Sequence, residues 1–214
     1  FTTEKELPFA GHPTLGTAHA LLEAGLAPKR PGTVMQECGV GLVAVNIQPE
    51  GTLAFAAPEV ELRPMAAEET ERLMAALRPA MIAASPLPVI AEMGIRWLMV
   101  RLPDAQSCLA VTPDQATIKQ LQTACDVDGV VIYGACPATE PADYEMRAFM
   151  VECGVLIEDP VTGSANACLA RLLQASRFPD GGQTAQGYLV RQGTQLNRDG
   201  RVSVRFIDGE PWIG

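Results

Sequence analysis

The sequence predicts an α+β fold of two pseudo-symmetric halves, each a curved, mostly antiparallel sheet or barrel around a central buried helix. Three observations support this prediction. One residue pattern occurs twice, two helical segments are apolar on almost every side, and strand-like segments outnumber helical ones. We place the first half in residues 1–108, incomplete at its start, and the second half in residues 109–214. The last strands of the second half are expected to cross back to the first.

The predicted elements follow from local patterns taken in chain order. Gly25 ends the first helix as a C-terminal cap. Thr112 is predicted to cap a second-half helix that has Pro113 at its first position. Alternating or continuous apolar runs predict the strands. In the first half we predict strands at 1–3, 33–37, 42–47, 52–56 and 96–102, and helices at 14–24 and 66–78. In the second half we predict strands at 130–133, 144–151, 187–192 and 202–207, helices at 112–124 and 163–173, and a turn at 197–200.

The repeated pattern opens both apolar helices. Residues 12–22 (HPTLGTAHALL) align with residues 159–169 (DPVTGSANACL) without a gap. His12 therefore corresponds to Asp159, and Thr17 corresponds to Ser164. Because a helix that is apolar nearly all round is a buried helix, we expect both to lie in the core. His19, within the first of them, is expected to be a hydrogen-bonded core histidine.

The starts of these two helices are the predicted functional site. The first N–H groups of a helix lack intrahelical partners and, with the helix dipole, favour a carboxylate or phosphate. If the two ends face each other, they form a cleft for a small acid. His12 and Asp159 would line it and suit proton transfer, while Thr17 and Ser164 could donate hydrogen bonds. Two structural readings stay open: Asp159 as a helix N-cap, and Ser164 as a packing or capping hydroxyl.

Composition and motifs narrow the class of protein. The net charge of −9 and the pI of about 4.7 argue against nucleic-acid and anionic-membrane partners. A nucleotide cofactor is disfavoured, because Gly39-x-Gly41 lacks the third glycine of a dinucleotide fingerprint and the chain has no phosphate-loop lysine motif. The spacing of the cysteines does not fit a zinc site. The six cysteines form no C-x-x-C pair, which favours reduced, mostly buried thiols in a cytoplasmic protein. Cys38 and Cys153 are interpreted as inert buried thiols.

Three segments resemble signatures of the PhzF-like phenazine-biosynthesis family. Residues 6–18 (ELPFAGHPTLGTA) are similar to its first signature and residues 158–165 (EDPVTGSA) to its second. Residues 190–193 (VRQG) and 200–202 (GRV) are similar to its C-terminal pattern. The resemblance covers the whole chain. It implies the diaminopimelate-epimerase-like fold, a site between the halves, a homodimer, and an isomerase that uses no cofactor.

The resemblance also implies roles for individual residues. The active-site histidine of the family falls on His12, its aspartate on Asp159 and its serine on Ser164. The loops of Gly11 and Gly163 would contact the substrate. The implied function is isomerisation of a small carboxylic acid by acid/base proton transfer at carbon.

Two other functions are kept as alternatives. One is a non-catalytic or inactive member of the family that binds small acids. The other, less favoured, is a thiol-dependent epimerase acting through Cys38 or Cys153. In the family the principal acid/base is a glutamate that precedes the first signature. The sequence begins at Phe1, just ahead of that signature, so we expect it to be a fragment of a longer chain that carries this glutamate.

Overall fold

The structure is a computed structural model that describes residues 6–48, 51–65, 69–70, 73, 82–83, 86–178, 180 and 186–214. The predicted strand at 1–3 lies outside the described residues, as does most of the predicted helix at 66–78. The described helices are α1 (Gly11–Glu23), α2 (Ala105–Ala110), α3 (Gln115–Cys125) and α4 (Gly163–Ala175), with a 3-10 turn at Thr194–Leu196. The strands are β1 (Thr33–Cys38), β2 (Gly41–Ile47), β3 (Leu53–Ala56), β4 (Glu61–Pro64), β5 (Val89–Glu92), β6 (Arg96–Arg101), β7 (Gly129–Ala135), β8 (Tyr144–Glu152), β9 (Val155–Asp159), β10 (Gly187–Gln192), β11 (Gly200–Ile207) and β12 (Glu210–Ile213).

These strands form one hydrogen-bonded sheet in the order β1-β2-β3-β12-β11-β10-β8-β7-β6-β5-β4, with β9 also paired to β8. Neighbouring strands are antiparallel except for β6 with β7 and β8 with β10. The last strand, β12, pairs with β3, so the end of the chain returns to strands of the first half. Strand pairing therefore joins residues before and after residue 108 at two places, between β6 and β7 and between β12 and β3. The division into halves at that residue stays a prediction.

The core lies on both faces of the central strands. On one face α4 packs against β12, β11, β5 and β6, within a core cluster that also holds residues of β2, β3, β8 and β10. On the other face α2 and α3 cover β7 and β8, and Cys108, Ile118 and Leu121 share a core cluster with Leu98 and Ile132. Because both faces are covered, β6 and β7 consist of nearly continuous apolar residues rather than alternating ones. The predicted α+β class, with many strands and few helices, is confirmed.

The two helices of the repeat differ in burial. Ten of the thirteen residues of α4 are buried, as predicted. On α1 the buried residues are Gly11, Thr14 and Ala18, and Leu21 is 44% exposed. The prediction of a core histidine at His19 is wrong, because its side chain is 65% exposed and faces Glu23 one turn later, at 3.5 Å. Helix α1 contacts β3 and the start of α4, so within the described residues only one side of it is covered.

Two capping predictions also need correction. Helix α3 is capped by Asp114 rather than Thr112, because the Asp114 carboxylate accepts a 2.8 Å hydrogen bond from the Thr117 N–H. The N-cap of α4 is Thr162 rather than Asp159, which is the last residue of β9. The carboxylate of Asp159 is therefore not engaged in capping a helix.

Candidate active site

The N-termini of α1 and α4 meet at two glycines. A Cβ built on Gly11 would lie 2.6 Å from the Cα of Gly163, and a Cβ built on Gly163 would lie 2.6 Å from the Cα of Gly11. No larger residue fits at either position without moving the backbone. The two helix starts, whose meeting the sequence analysis posed only as a condition, therefore adjoin. Two sets of first-turn N–H groups are brought to one place.

The two glycines that touch are not equivalent in the repeat, where Gly163 aligns with Gly16. Helix α1 begins at Gly11, three residues earlier than predicted, with Ala10 as its N-cap. Pro13 is tolerated because it lies in the first turn, where its missing N–H has no helical partner to lose. His12 therefore lies on the first turn of α1, whereas Asp159 lies at the end of a strand.

A cavity of about 560 Å³ opens beside this junction. Five of the predicted site residues line it: Gly11, His12, Asp159, Gly163 and Ser164. Thr17 is not among the lining residues, and its side chain is exposed further along α1. The lining also includes the apolar residues Phe9, Ile95, Trp97, Val127, Met150 and Ile157, and the charged residues Lys119, Asp128 and Glu152. The volume lies within the range typical of pockets for small ligands.

Ser164 is the most buried polar side chain of the predicted set. It is 6% exposed, and its Oγ accepts a 3.1 Å hydrogen bond from the indole N–H of Trp97, which is 1% exposed. Because an indole N–H only donates, the hydroxyl proton of Ser164 is left for another acceptor. Both residues line the cavity, so a ligand oxygen could accept that proton.

Asp159 is held by hydrogen bonds from Thr162 and from Gln192. Its Oδ2 accepts a 2.8 Å hydrogen bond from the Thr162 hydroxyl, and its backbone carbonyl accepts one of 2.8 Å from Nε2 of Gln192. Gln192 and Asp159 are close because β9 and β10 share one edge of β8. Gln192 lies opposite Met146, and Asp159 lies opposite Ala148 two residues further on.

Sequence reasoning did not single out Trp97, Thr162, Gln192 or Glu152. Thr162 lies within the second signature and Gln192 within the C-terminal pattern, so the resemblance contained a signal for both. Trp97 lies in a predicted strand with no motif around it. Only the fold places its ring against Ser164, 67 residues away in sequence.

The cysteines lie apart from this cavity. Neither Cys38 nor Cys153 lines it, and Cys153 is exposed rather than buried as we predicted. None of the six cysteines forms a disulfide bond in the described structure. Burial raises the pKa of Cys136 to about 11, which leaves it protonated at neutral pH.

The described residues contain no group of three or more His, Cys, Asp or Glu side chains placed to hold a metal ion. In the same part of the chain, no helix has the length and apolar character needed to cross a membrane.

Solved structures share this fold. A PhzF-family phenazine biosynthesis protein from Bacillus anthracis superposes with a TM-score of 0.76 at 20% identity, over 100% of this chain and 74% of that one. A hydroxyproline epimerase from Agrobacterium vitis superposes with a TM-score of 0.60 at 15% identity, over 99% of this chain and 65% of that one. The chain therefore has the α+β fold of these structures, with its cavity where two helix N-termini meet.

The sequence assigns the family within that class. The model of PhzC-PhzF, phenazine biosynthesis-like protein, matches residues 1–210. Antisense-enhancing sequence 1 of Schizosaccharomyces pombe is 30% identical over 213 residues, which cover 95% of this chain and 69% of that protein. Trans-2,3-dihydro-3-hydroxyanthranilate isomerase of Pseudomonas aeruginosa is 29% identical over 206 residues, or 96% and 68%. The chain belongs to the PhzC-PhzF family, as the signatures predicted. Several of its curated relatives are named isomerases, in agreement with the predicted enzyme class.

Proposed function

We propose that this protein isomerises a small carboxylic acid by moving a proton at carbon, without a cofactor or metal ion. One observation carries the proposal. Asp159, His12 and Ser164 line a single cavity at the junction of two helix N-termini. An anion site and proton-transferring groups in one small cavity are what such a reaction requires. The isomerase names of the relatives support the reaction class.

The helix junction is proposed to bind the carboxylate of the substrate. Free N–H groups and the dipoles of α1 and α4 favour a negative charge there. Because Trp97 donates to the Oγ of Ser164, the serine proton is free to donate to a carboxylate oxygen. A ring or short apolar body of the acid would then lie against Trp97, Ile95 and Met150.

Asp159 and His12 are proposed to act on the other end of the substrate. The Asp159 carboxylate would hydrogen-bond a substrate hydroxyl or amine, or help to carry the proton. His12, on the first turn of α1, would orient the substrate or relay a proton, since an imidazole can both accept and donate. The principal base in this proposal is the glutamate that the resemblance places before the first signature. The homodimer and the cytoplasmic location implied by the resemblance and the cysteines belong to the same proposal.

Solvent deuterium uptake tests the reaction. The protein is incubated in D₂O with trans-2,3-dihydro-3-hydroxyanthranilate and a panel of other small acids, and deuterium at carbon is measured by NMR. We expect uptake with at least one acid. Asp159→Asn should slow uptake by about 100-fold or more, since acid/base groups contribute factors of that order.

The matched control is Asp199→Asn, whose side chain is 72% exposed on a turn and pairs with the partly exposed Arg201. It should leave the rate unchanged. Wild-type uptake that Asp159→Asn does not reduce would refute the site assignment. Binding of 3-hydroxyanthranilate by calorimetry, without uptake in any acid, would instead favour the non-catalytic alternative. Loss of uptake on alkylation of a still-folded protein would favour the thiol-dependent one.

A further inference from the structure

The side-chain amide of Gln192 is completely buried and uses both of its ends. Its Oε1 accepts hydrogen bonds from the Thr162 N–H at 3.0 Å and from Nδ2 of Asn166 at 3.4 Å. Its Nε2 donates to the Asp159 carbonyl at 2.8 Å and to the Thr162 hydroxyl at 2.8 Å. A buried amide is costly unless it is bonded in this way. The residue therefore ties the end of β9 to the start of α4.

The partners of Gln192 leave its amide only one orientation. The Thr162 N–H can only donate, so it must face Oε1, and the Asp159 carbonyl can only accept, so it must face Nε2. The same Nε2 then donates to the Thr162 hydroxyl. Since that oxygen already accepts a proton from Gln192, the hydroxyl's own proton is directed to Oδ2 of Asp159, 2.8 Å away.

A second set of contacts holds the same connection from the other side. A Cβ on Gly200 would lie 2.9 Å from the Pro160 carbonyl oxygen and 2.5 Å from Cγ2 of Val161. The backbone that follows β10 thus packs directly on the segment between Asp159 and Thr162. The C-terminal pattern noted in the sequence, which contains both Gln192 and Gly200, lies against the second signature.

We propose that Gln192 and Thr162 are positioning residues for Asp159. Gln192 fixes the direction of the Thr162 hydroxyl, and that hydroxyl holds one oxygen of the Asp159 carboxylate, so the side chain keeps a single orientation at the cavity wall. The expected effect on the reaction rate rests on the proposed function, whereas the orientation of the Asp159 side chain does not. In that reaction a carboxylate that rotates freely would meet the substrate in the wrong geometry, and small misplacements are costly in rate.

Thr162→Val tests this directly, because it removes the hydroxyl while keeping the shape and the backbone N–H that Gln192 binds. Three-bond NMR couplings of Asp159 report how many χ1 rotamers the side chain populates. We expect one rotamer in the wild type, averaging in Thr162→Val, and one rotamer again in Thr162→Ser. In the deuterium-uptake assay kcat should fall by about tenfold or more, up to about 100-fold, with KM within about twofold of wild type.

The matched control is Thr112→Val, an exposed threonine ahead of α3 that does not line the cavity. It should change neither the couplings nor kcat. Couplings in Thr162→Val that equal those of the wild type would overturn the proposal, as would a loss of kcat that Thr162→Ser does not restore. A wild type that takes up no deuterium would refute the proposed function, while the couplings would still decide whether Asp159 is positioned.

Discussion

Arg147 shows how a single residue supports the site without touching it. Its guanidinium, 3% exposed, forms two parallel bonds with the Glu158 carboxylate, at 2.9 and 2.8 Å. Its third nitrogen donates to the carbonyls of Cys108 and Val111. A buried charge is tolerated when it is paired and each of its nitrogens is hydrogen-bonded in this way. Because Glu158 immediately precedes Asp159, the pair also anchors the strand that carries the site aspartate.

The two histidines show what residue type alone leaves open. His12 lines the cavity, while His19 lies two turns along the same helix and pairs with Glu23 in solvent. The sequence placed His12 just before an apolar helix and His19 within it. It did not show which side of that helix would pack against the rest of the protein. That choice depends on where the helix starts and on which elements pack against it.

Asp104 provides a prediction about pH. Its carboxylate caps α2 and accepts a 2.7 Å hydrogen bond from the Ser107 N–H, which lowers the pKa of Asp104 below its ordinary value of 3.8. A lowered pKa in the folded state contributes stability above the unfolded pKa, and this contribution is lost as the pH falls through the folded value. We expect Asp104→Ala to reduce the free energy of unfolding by about 1 kcal/mol at pH 7, a difference that shrinks as the pH falls below 3.8.

Urea unfolding at pH 7 and at about pH 2.5 measures this difference. Asp104→Asn is the matched control, because asparagine is also a good N-cap but does not titrate. It should retain most of the stability at pH 7 and show less dependence on pH than the wild type. An Asp104→Ala deficit that is equal at both pH values would contradict the assigned cause.

At the scale of elements, two hairpins that we did not predict have a recognisable signal in the sequence. Strands β8 and β9 form a hairpin around Cys153-Gly154, and β11 and β12 form one around Asp208-Gly209, with all four turn residues at positive φ. A two-residue loop ending in glycine between apolar strands is a strong hairpin signal. The short strands β4 and β5 are different. Each has four residues, and their pairing depends on tertiary contacts that no local pattern reveals.

The junction of α1 and α4 carries the prediction at this scale. Gly163→Ala would place a methyl group 2.6 Å from the Gly11 backbone, where no side chain can move aside. We expect the free energy of unfolding to fall by about 2 kcal/mol or more, as overpacking of this kind does. Because the shift would separate the helix starts, binding of 3-hydroxyanthranilate should weaken as well.

Gly16→Ala is the matched control, since it adds the same methyl group on α1 with nothing within 4 Å of it. It should be neutral or stabilise the protein by about 0.5–1 kcal/mol, because alanine is the better helix former. Urea unfolding of both variants measures the difference. Equal effects at Gly163 and Gly16 would show that the close approach of the two helices does not limit residue size.

At the scale of the whole molecule, strand β12 links two parts of the sheet. Strand β12 lies between β11 and β3, so the last residues of the chain join the strands that precede residue 108 to those that follow it. Ile213, 1% exposed, is buried in the main core at this point. The division of the chain into two halves at residue 108 stays a prediction.

Ile213→Ala tests how much this connection contributes. Removing a buried isoleucine side chain is expected to lower the free energy of unfolding by about 2–4 kcal/mol. Ile207→Ala, on β11 and 42% exposed, is the matched control and should cost less than about 1 kcal/mol. Urea unfolding followed by circular dichroism measures both. Similar losses for the two variants would show that β12 is not a core element of the sheet.

The sequence by itself determined the α+β class, the family, the buried helix α4 and five of the residues that line the cavity. These are written in local patterns: runs of apolar residues, turn residues and the two signatures. Only the tertiary structure decided that Gly11, rather than Gly16, meets Gly163, that Trp97 bonds Ser164, and that Gln192 lies behind Asp159. The physical reason is that each of these contacts joins residues far apart along the chain. The register of the sheet and the position where a helix starts decide whether such residues come into contact. Neither can be predicted from the identities of the contacting residues alone.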